Sequence, residues 1–301
     1  MVSTDSACSR RYDWTARHLA ALLLANASLA LGPMLVRLAD TGPVAAGFWR
    51  LTIAMPFVFL LSLREAPRHS RVGGMTLLMV LGAGVAFAFD LAAWHIGIEK
   101  TKLANSSLFG NGGSVILMAW GLIAARRLPR LLELAAIAAA LLGAALLMGG
   151  SLEISNANLV GDMFCLLAGF FYAVYILMIG SVRERLGQYS LLVGSMCASV
   201  PLILIMAWLR AEVLLPHDWT PLVALAFSSQ LVGQGFLVYS LRHFPPLVIG
   251  LALLTQPAIA AASGWLIFGE VLSAQDIVGM MLLAGALAMA RAGDRPVKAQ
   301  A

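Results

Sequence analysis

Two ionisable residues, Arg50 and Asp90, lie inside long apolar stretches of this chain. Asp90 occurs in LGAGVAFAFDLAAWH, residues 81–95, and Arg50 occurs in the apolar run before it. A charged side chain near the centre of a membrane helix costs roughly 2.5–3.5 kcal/mol, so its presence indicates a functional site. Two such groups at similar depth can bind the carboxylate and the amine of a zwitterion. The alternative is a permanent salt bridge between two helices.

Uncharged polar residues fall near the centres of other apolar stretches. They are Asn111, Tyr172, Gln230 and Gln256. Polar side chains that bridge membrane helices stabilise them by about 0.6 kcal/mol on average, so packing alone can explain each one. Their similar depth in both halves of the chain favours a shared substrate cavity instead.

Trp94 and His95 follow Asp90 by about one helical turn. Trp94 shares a helical face with Asp90, which predicts either a cavity wall or part of an aromatic belt at the membrane interface. His95 titrates near neutrality, so it is a candidate for proton coupling together with Asp90. A solvated histidine at a helix end is the other interpretation.

The composition indicates which elements hold these residues. The chain is 60% hydrophobic and 12% charged, with a mean hydropathy of +0.88. Soluble domains are about 45–50% apolar and about 25% charged. We therefore expect an all-α polytopic membrane protein. The net charge is +5, and the basic residues lie in short loops between apolar runs, which argues against nucleic acid as a partner. The three cysteines have no metal-ligand spacing, and we predict no cofactor or metal.

Ten apolar stretches are long enough to span a membrane, which takes about 20 residues. They are residues 18–39, 44–63, 73–97, 102–124, 130–149, 159–180, 190–209, 219–241, 246–268 and 274–291. Most loop Lys and Arg residues fall on the side of both termini, which predicts a cytoplasmic N-terminal tail (1–17) and C-terminal tail (292–301). We expect the bacterial inner membrane as the location.

The two halves of the chain align when one is shifted by 145 positions. Pro56 then falls on Pro201, and Trp120 falls on Trp265. This spacing predicts two five-helix repeats, residues 18–149 and 159–291. Because five is odd, the second repeat must be inverted in the membrane. Inverted repeats are typical of secondary transporters, whose substrate site lies between the repeats near the midplane.

With these features the chain resembles the EamA-type branch of the drug/metabolite transporter superfamily. The arginine early in the second span, in AGFWRLTIAMPFVFLL, agrees with the resemblance, as does QPAIAAASGWLIFGE in the ninth. One departure is Gly112, where the second half has Pro257. The resemblance implies a secondary transporter that exports amino acids or related small metabolites by alternating access.

Other functions fit the sequence less well. One alternative is an importer of a cationic or nucleoside-like metabolite, and another is a channel or scaffold without a transport cycle. We predict no enzyme activity, because no H-E-x-x-H motif is present and no serine has a histidine at matching depth. The expected partners are a small-molecule substrate, membrane lipid and a proton as candidate coupling ion. Both a monomer and a homodimer fit.

Overall fold

The computed structural model describes residues 15–65, 73–101, 103–125, 128–149, 157–259, 262 and 272–294. These residues form helices and short connections, with no strand among them. The α-helices in chain order are α1 (Ala16–Ala30), α2 (Gly32–Leu38), α3 (Pro43–Leu63), α4 (Gly74–Lys100), α5 (Leu103–Gly110), α6 (Gly112–Ala124), α7 (Leu131–Gly149), α8 (Leu159–Val182), α9 (Gln188–Leu209), α10 (Thr220–Leu225), α11 (Gly235–Ser240), α12 (Pro246–Leu253) and α13 (Ala274–Asp294). A π-helical segment, Ala226–Gln234, joins α10 to α11.

Seven helical stretches in the described residues are long and apolar enough to cross a membrane. They are Ala16–Leu38, Pro43–Leu63, Gly74–Lys100, Asn105–Ala124, Leu159–Val182, Gln188–Leu209 and Thr220–Ser240. Three shorter apolar helices occupy Leu131–Leu147, Pro246–Ile259 and Ala274–Ala290. The all-helical membrane fold is thus confirmed, and each of the ten expected spans overlaps one of these helices.

Three of the expected spans are interrupted rather than continuous. The first breaks at Leu31, where Pro33 lacks the N–H of a regular turn. The fourth breaks at Asn111, between α5 and α6. In the ninth, α12 ends at Leu253 and the helix resumes at residue 256, next to Pro257. The spans expected over 18–39 and 102–124 are therefore present, each with a one-residue interruption, and the described part of the span expected over 246–268 breaks after Leu253.

Several expected features lie outside the described residues. These are the N-terminal tail before residue 15, the C-terminal tail after residue 294, and the part of the ninth span after residue 259 except residue 262. That part includes the end of the QPAIAAASGWLIFGE segment.

The long helix α8 packs closely on α4 and α6. A Cβ atom added at Gly97 in α4 would lie 2.4 Å from the Cys165 sulfur in α8. A Cβ atom added at Gly113 in α6 would lie 2.2 Å from the Gly169 carbonyl oxygen of α8. Glycines at both crossings let the backbones approach, as small residues do between membrane helices.

Helices α3 and α9 run antiparallel, and each caps the start of the other. Glu212, just after α9, accepts a hydrogen bond from the Ala45 amide in the first turn of α3 at 2.9 Å. Glu65, just after α3, accepts from the amides of Tyr189 and Ser190 in the first turn of α9, at 2.9 and 3.0 Å. A carboxylate at a helix N-terminus satisfies free N–H groups and complements the helix dipole.

A glycine precedes each of these helices and makes room for the capping carboxylate. Gly42 and Gly187 are the N-cap residues of α3 and α9. A Cβ atom at Gly42 would lie 2.4 Å from Glu212, and one at Gly187 would overlap Glu65. Gly42 and Gly187 are separated by 145 positions, which is the offset of the sequence repeat. The two caps are therefore equivalent features of the two halves.

Candidate functional site

A cavity of about 670 Å³, counting its solvent-open part, lies between helices of both halves. Its walls come from α1 to α5, α8, the π-helical segment and the residues after α12. The structure brings most of the expected site residues to this cavity. Those that line it are Arg50, Asp90, Trp94, Asn111, Tyr172 and Gln256. Arg50 and Asp90 therefore share one cavity with the uncharged polar residues Asn111, Tyr172 and Gln256.

Arg50 and Asp90 face the cavity without forming an ion pair. Arg50 is 2% exposed and Asp90 is 8% exposed. Within the described residues no ion pair of 4 Å or less joins them, although they are close enough to interact electrostatically. The Arg50 guanidinium carbon lies 6.0 Å from the centroid of the Phe87 ring. The permanent salt bridge considered from the sequence is therefore not formed in this structure.

A buried charge without a partner is costly, and this cost bears on what the cavity binds. The Arg50 Nε has no hydrogen-bond partner in the part of the chain that the structure describes. Removing one partner of a buried ion pair typically costs about 3–5 kcal/mol, because it leaves a charge uncompensated. Two opposite charges held apart in this way favour a ligand that carries the complementary charges.

Asn111 and Gln256 both stand where a helix is interrupted. Asn111 lies between α5 and α6, and its Nδ2 donates to the Ser107 carbonyl at 2.8 Å. Gln256 follows the break after α12 and precedes Pro257, whose ring and missing N–H prevent a regular turn. The offset of 145 positions relates Asn111 to Gln256. Interrupted helices at equivalent positions of two repeats are typical of substrate sites in transporters.

Asn26 compensates for the break after α12. Its Nδ2 donates to the Ala252 carbonyl at 3.0 Å, and this carbonyl also accepts from the Thr255 hydroxyl at 2.6 Å. The Gln256 Nε2 lies 3.5 Å from the Asn26 Oδ1. Asn26 is fully buried. A side chain of the first half therefore supports the interrupted helix of the second half.

Tyr172 belongs to a row of aromatic rings beside Arg50. Its ring stacks on Tyr175 with centroids 6.0 Å apart, and Tyr175 stacks on Phe87 at 4.6 Å. The Tyr172 hydroxyl accepts a hydrogen bond from the Gln234 Nε2 at 3.1 Å. This bond joins α8 to the π-helical segment at the cavity wall.

Gln230 and His95 do not line the cavity. Gln230 is fully buried, and neither of its amide atoms has a hydrogen-bond partner in the described residues. Gln234 reaches the cavity instead. Gln230 and Gln234 are four positions apart, so they share a helical face and differ in their position along the helix axis. The π-helical segment itself, whose hydrogen bonds run from residue i to i+5, has no signal in the sequence.

His95 is also fully buried, with its Nδ1 2.7 Å from the Pro43 carbonyl oxygen. A carbonyl is an acceptor only, so Nδ1 carries the proton and donates. Neighbouring residues of an α-helix point about 100° apart, since a turn takes 3.6 residues. Because Trp94 faces the cavity, His95 is directed toward α3. It is not the solvated histidine that the sequence also allowed.

Sequence reasoning missed several cavity residues. They include Pro33, Phe87, Ser106, Ser107 and Gly110. Phe87 precedes Asp90 by three positions and Ser107 precedes Asn111 by four, which are the spacings of one helical face. Helical spacing from the polar residues would have identified both.

Comparison with known proteins gives a consistent result. Residues 17–149 and 159–291 each match the EamA-like transporter family. The threonine/homoserine exporter RhtA of Escherichia coli (strain K12) is 25% identical over 260 residues, which is 86% of each chain. RhtA of Salmonella typhimurium (strain LT2) is 25% identical over 266 residues, or 88% of each chain.

Two further matches extend the comparison. An uncharacterized transporter of Archaeoglobus fulgidus is 26% identical over 171 residues, covering 53% of this chain and 57% of its own. A solved crystal structure with a TM-score of 0.75 and 16% identity covers 95% of this chain and all of its own, which shows the same fold. The two matched segments together span 266 of the 301 residues of the chain. This chain therefore belongs to the EamA-like transporter family, and it is a membrane transporter of the drug/metabolite transporter superfamily.

Proposed function

We propose that this protein exports amino acids or related small metabolites across the bacterial inner membrane. The observation that carries the proposal is the separation of Arg50 and Asp90 in one cavity. A guanidinium and a carboxylate that do not pair with each other are complementary to a zwitterion. The similarity to a threonine/homoserine exporter supports the same class of substrate.

The cavity suggests how an amino acid would be held. Its carboxylate would accept hydrogen bonds from Arg50, whose planar fork suits carboxylates. Its ammonium group would donate to Asp90. The substrate side chain would then face three uncharged polar groups of the cavity, which are the amides of Asn111 and Gln256 and the Tyr172 hydroxyl. Each charged end would compensate a buried charge that the protein leaves without an ion pair.

Alternating access would follow from two inverted repeats, residues 18–149 and 159–291, that rock around this cavity. The antiparallel pairing of α3 and α9 supports the inversion, and so do the equivalent caps at Gly42 and Gly187. The Lys and Arg bias supports cytoplasmic termini, with residues 1–17 and 292–301 as tails.

If transport is coupled to protons, Asp90 is the better candidate to carry them. Asp90 faces the cavity, whereas His95 is fully buried and bonded to the Pro43 carbonyl. Exchange of a proton for the substrate ammonium at the same carboxylate would couple the two fluxes. We retain a proton as the candidate coupling ion on this ground.

Counterflow in proteoliposomes tests the proposal, because counterflow requires a carrier and is not produced by a channel or scaffold. We expect labelled threonine to accumulate against unlabelled threonine with the wild type. Threonine amide, which lacks the carboxylate, and N-acetylthreonine, which lacks the ammonium, should compete at least about 10-fold more weakly, since each leaves a buried charge unpaired. Nucleosides and cationic metabolites in the same panel test the importer alternative.

Two variants connect this result to the cavity. Arg50→Gln should lose the discrimination against threonine amide, and Asp90→Asn should lose the discrimination against N-acetylthreonine. Asp218→Asn is the matched control, because Asp218 is exposed and does not line the cavity. Equal competition by threonine and both derivatives in the wild type would refute the zwitterion proposal.

A further inference from the structure

The Trp94 indole lies against two glycines that flank helix interruptions. Gly32 begins α2, just after the break at Leu31, and Gly110 ends α5, just before the break at Asn111. A Cβ atom at Gly32 would lie 2.9 Å from the indole Cη2. A Cβ atom at Gly110 would lie 3.1 Å from the indole Nε1. Both distances are shorter than an ordinary carbon contact of about 3.5–4.0 Å.

The remaining surroundings of the indole determine where it could move. Trp94 also packs against a small apolar cluster formed by Val36, Ile98 and Leu225. Interiors are close-packed, so this cluster leaves little room for a displaced ring. The cavity is the other neighbour, since Trp94 lines it together with Asp90. A methyl group on either glycine would therefore push the indole toward the cavity.

We propose that Gly32 and Gly110 determine substrate specificity by setting how far the Trp94 indole extends into the cavity. In the native protein the ring rests at the wall and forms the boundary beside the charged pair. The site then takes amino acids with small side chains and excludes those with aromatic side chains. This inference rests on the proposed function, and it adds two positions whose effect on the substrate is exerted through the indole.

Removal of the indole is the first test. Counterflow is measured with threonine and phenylalanine, and the result is the ratio of their half-saturating concentrations. An aromatic side chain buries about 150–250 Å², so Trp94→Ala opens a space suited to a phenyl ring. We expect the ratio to shift toward phenylalanine by at least about 10-fold, the lower end of the effect of one methylene in a specific pocket. An unchanged ratio overturns the proposal.

Displacement of the indole is the opposite test. Gly110→Ala and Gly32→Ala should raise the half-saturating concentration of threonine at least about 5-fold and that of glycine much less, because only the larger substrate meets the displaced ring. Gly285→Ala is the matched control, since no atom of the described residues lies within 4 Å of its added Cβ. An equal loss for glycine and threonine overturns the size filter.

A double variant separates the indole contact from other effects of alanine. In Gly110→Ala combined with Trp94→Ala the methyl group no longer meets a ring, so the added effect of Gly110→Ala should disappear. The same cycle is measured on the thermal unfolding midpoint of the purified protein, in case single glycine variants fold poorly. A penalty that persists without the indole overturns the proposal.

Failure of the specificity role is distinguishable from failure of the proposed function. If the wild type gives no counterflow with any amino acid, the proposed function fails and the specificity role fails with it. If the wild type transports threonine and the Trp94 variant keeps the native ratio, only the specificity role fails.

Discussion

The cap that Glu65 provides to α9 gives a prediction whose size can be worked out from the structure. Its two oxygens accept from the amides of Tyr189 and Ser190, at 2.9 and 3.0 Å, and from the Ser190 hydroxyl at 2.8 Å. Loss of an N-cap acceptor costs about 0.5–2 kcal/mol. Loss of a negative charge at a helix N-terminus costs about 0.3–1 kcal/mol. Glu65→Ala should therefore lower the free energy of unfolding by about 1–3 kcal/mol.

Related variants separate the contributions of the charge, the amide contacts and the hydroxyl contact to the stabilisation by Glu65. Glu65→Gln keeps one acceptor and loses the charge, so its effect should lie between the wild type and Glu65→Ala. Ser190→Ala removes only the hydroxyl donor and should cost less than about 1 kcal/mol. Glu212→Ala removes the single amide contact to Ala45, which predicts about 0.5–2 kcal/mol and a smaller loss than Glu65→Ala.

The measurement is unfolding of purified protein in mixed micelles by titration with sodium dodecyl sulfate. Variants are compared at one lipid composition, so differences report the cap rather than the solvent. The reasoning is refuted if Glu65→Ala costs no more than Ser190→Ala, because the amide contacts would then contribute nothing. It is also refuted if Glu65→Gln is as stable as the wild type.

Two other predictions follow from contacts described by the structure. Gly113→Ala should lower the unfolding midpoint strongly, because its Cβ atom would lie 2.2 Å from the Gly169 carbonyl oxygen, whereas Gly285→Ala should leave the midpoint unchanged. Hydrogen bonds from the backbone amides, that of His217 first, lower the pKa of Asp40 below its ordinary value of 3.8. The stabilisation that the Asp40 carboxylate provides is then fully present above pH 3.8 and is lost as the pH falls through the lowered pKa. The difference in unfolding midpoint between the wild type and Asp40→Asn should therefore be constant near neutrality and shrink only in strong acid.

Much of the fold follows from composition and apolar length. Long apolar runs leave helices as the available structure in a membrane, because every backbone group must be bonded within the protein. Arg50 and Asp90 were recognisable for the same reason, since a charge in such a run needs an explanation. The offset of 145 positions identified equivalent residues, and the paired prolines Pro56 and Pro201 do lie inside α3 and α9.

Backbone irregularity is what the sequence did not reveal. A count of apolar residues assumes a regular helix, so the breaks at Leu31 and Asn111 were not expected. Pro33 was a signal for the first break, but Asn111 and Gly112 are tolerated in many helices. The π-helical segment has no comparable signal, and Gln234, four positions after the expected Gln230, is the glutamine of this segment that lines the cavity.

The sequence also could not predict that Arg50 and Asp90 do not form an ion pair. Depth counting places Arg50 and Asp90 at similar heights on consecutive helices, and this fits both a salt bridge and a shared cavity. The distance between two side chains depends on how their helices are rotated and on the packing around them. The Phe87 ring, whose centroid lies 6.0 Å from the guanidinium carbon, is part of that packing.

The exchanged caps of α3 and α9 also affect the order of events during synthesis. The acceptor for the Ala45 amide is Glu212, which lies 167 positions later in the chain. At about 5–20 residues per second, the ribosome needs roughly 8–33 s to add that length. Until the seventh span and Glu212 have been synthesised, the Ala45 amide in the first turn of the second span lacks the acceptor that it has in the folded protein. Before then, water or a lipid headgroup is the acceptor open to the Ala45 amide. A chain truncated between the two halves would lack Glu212 and so would never form this cap.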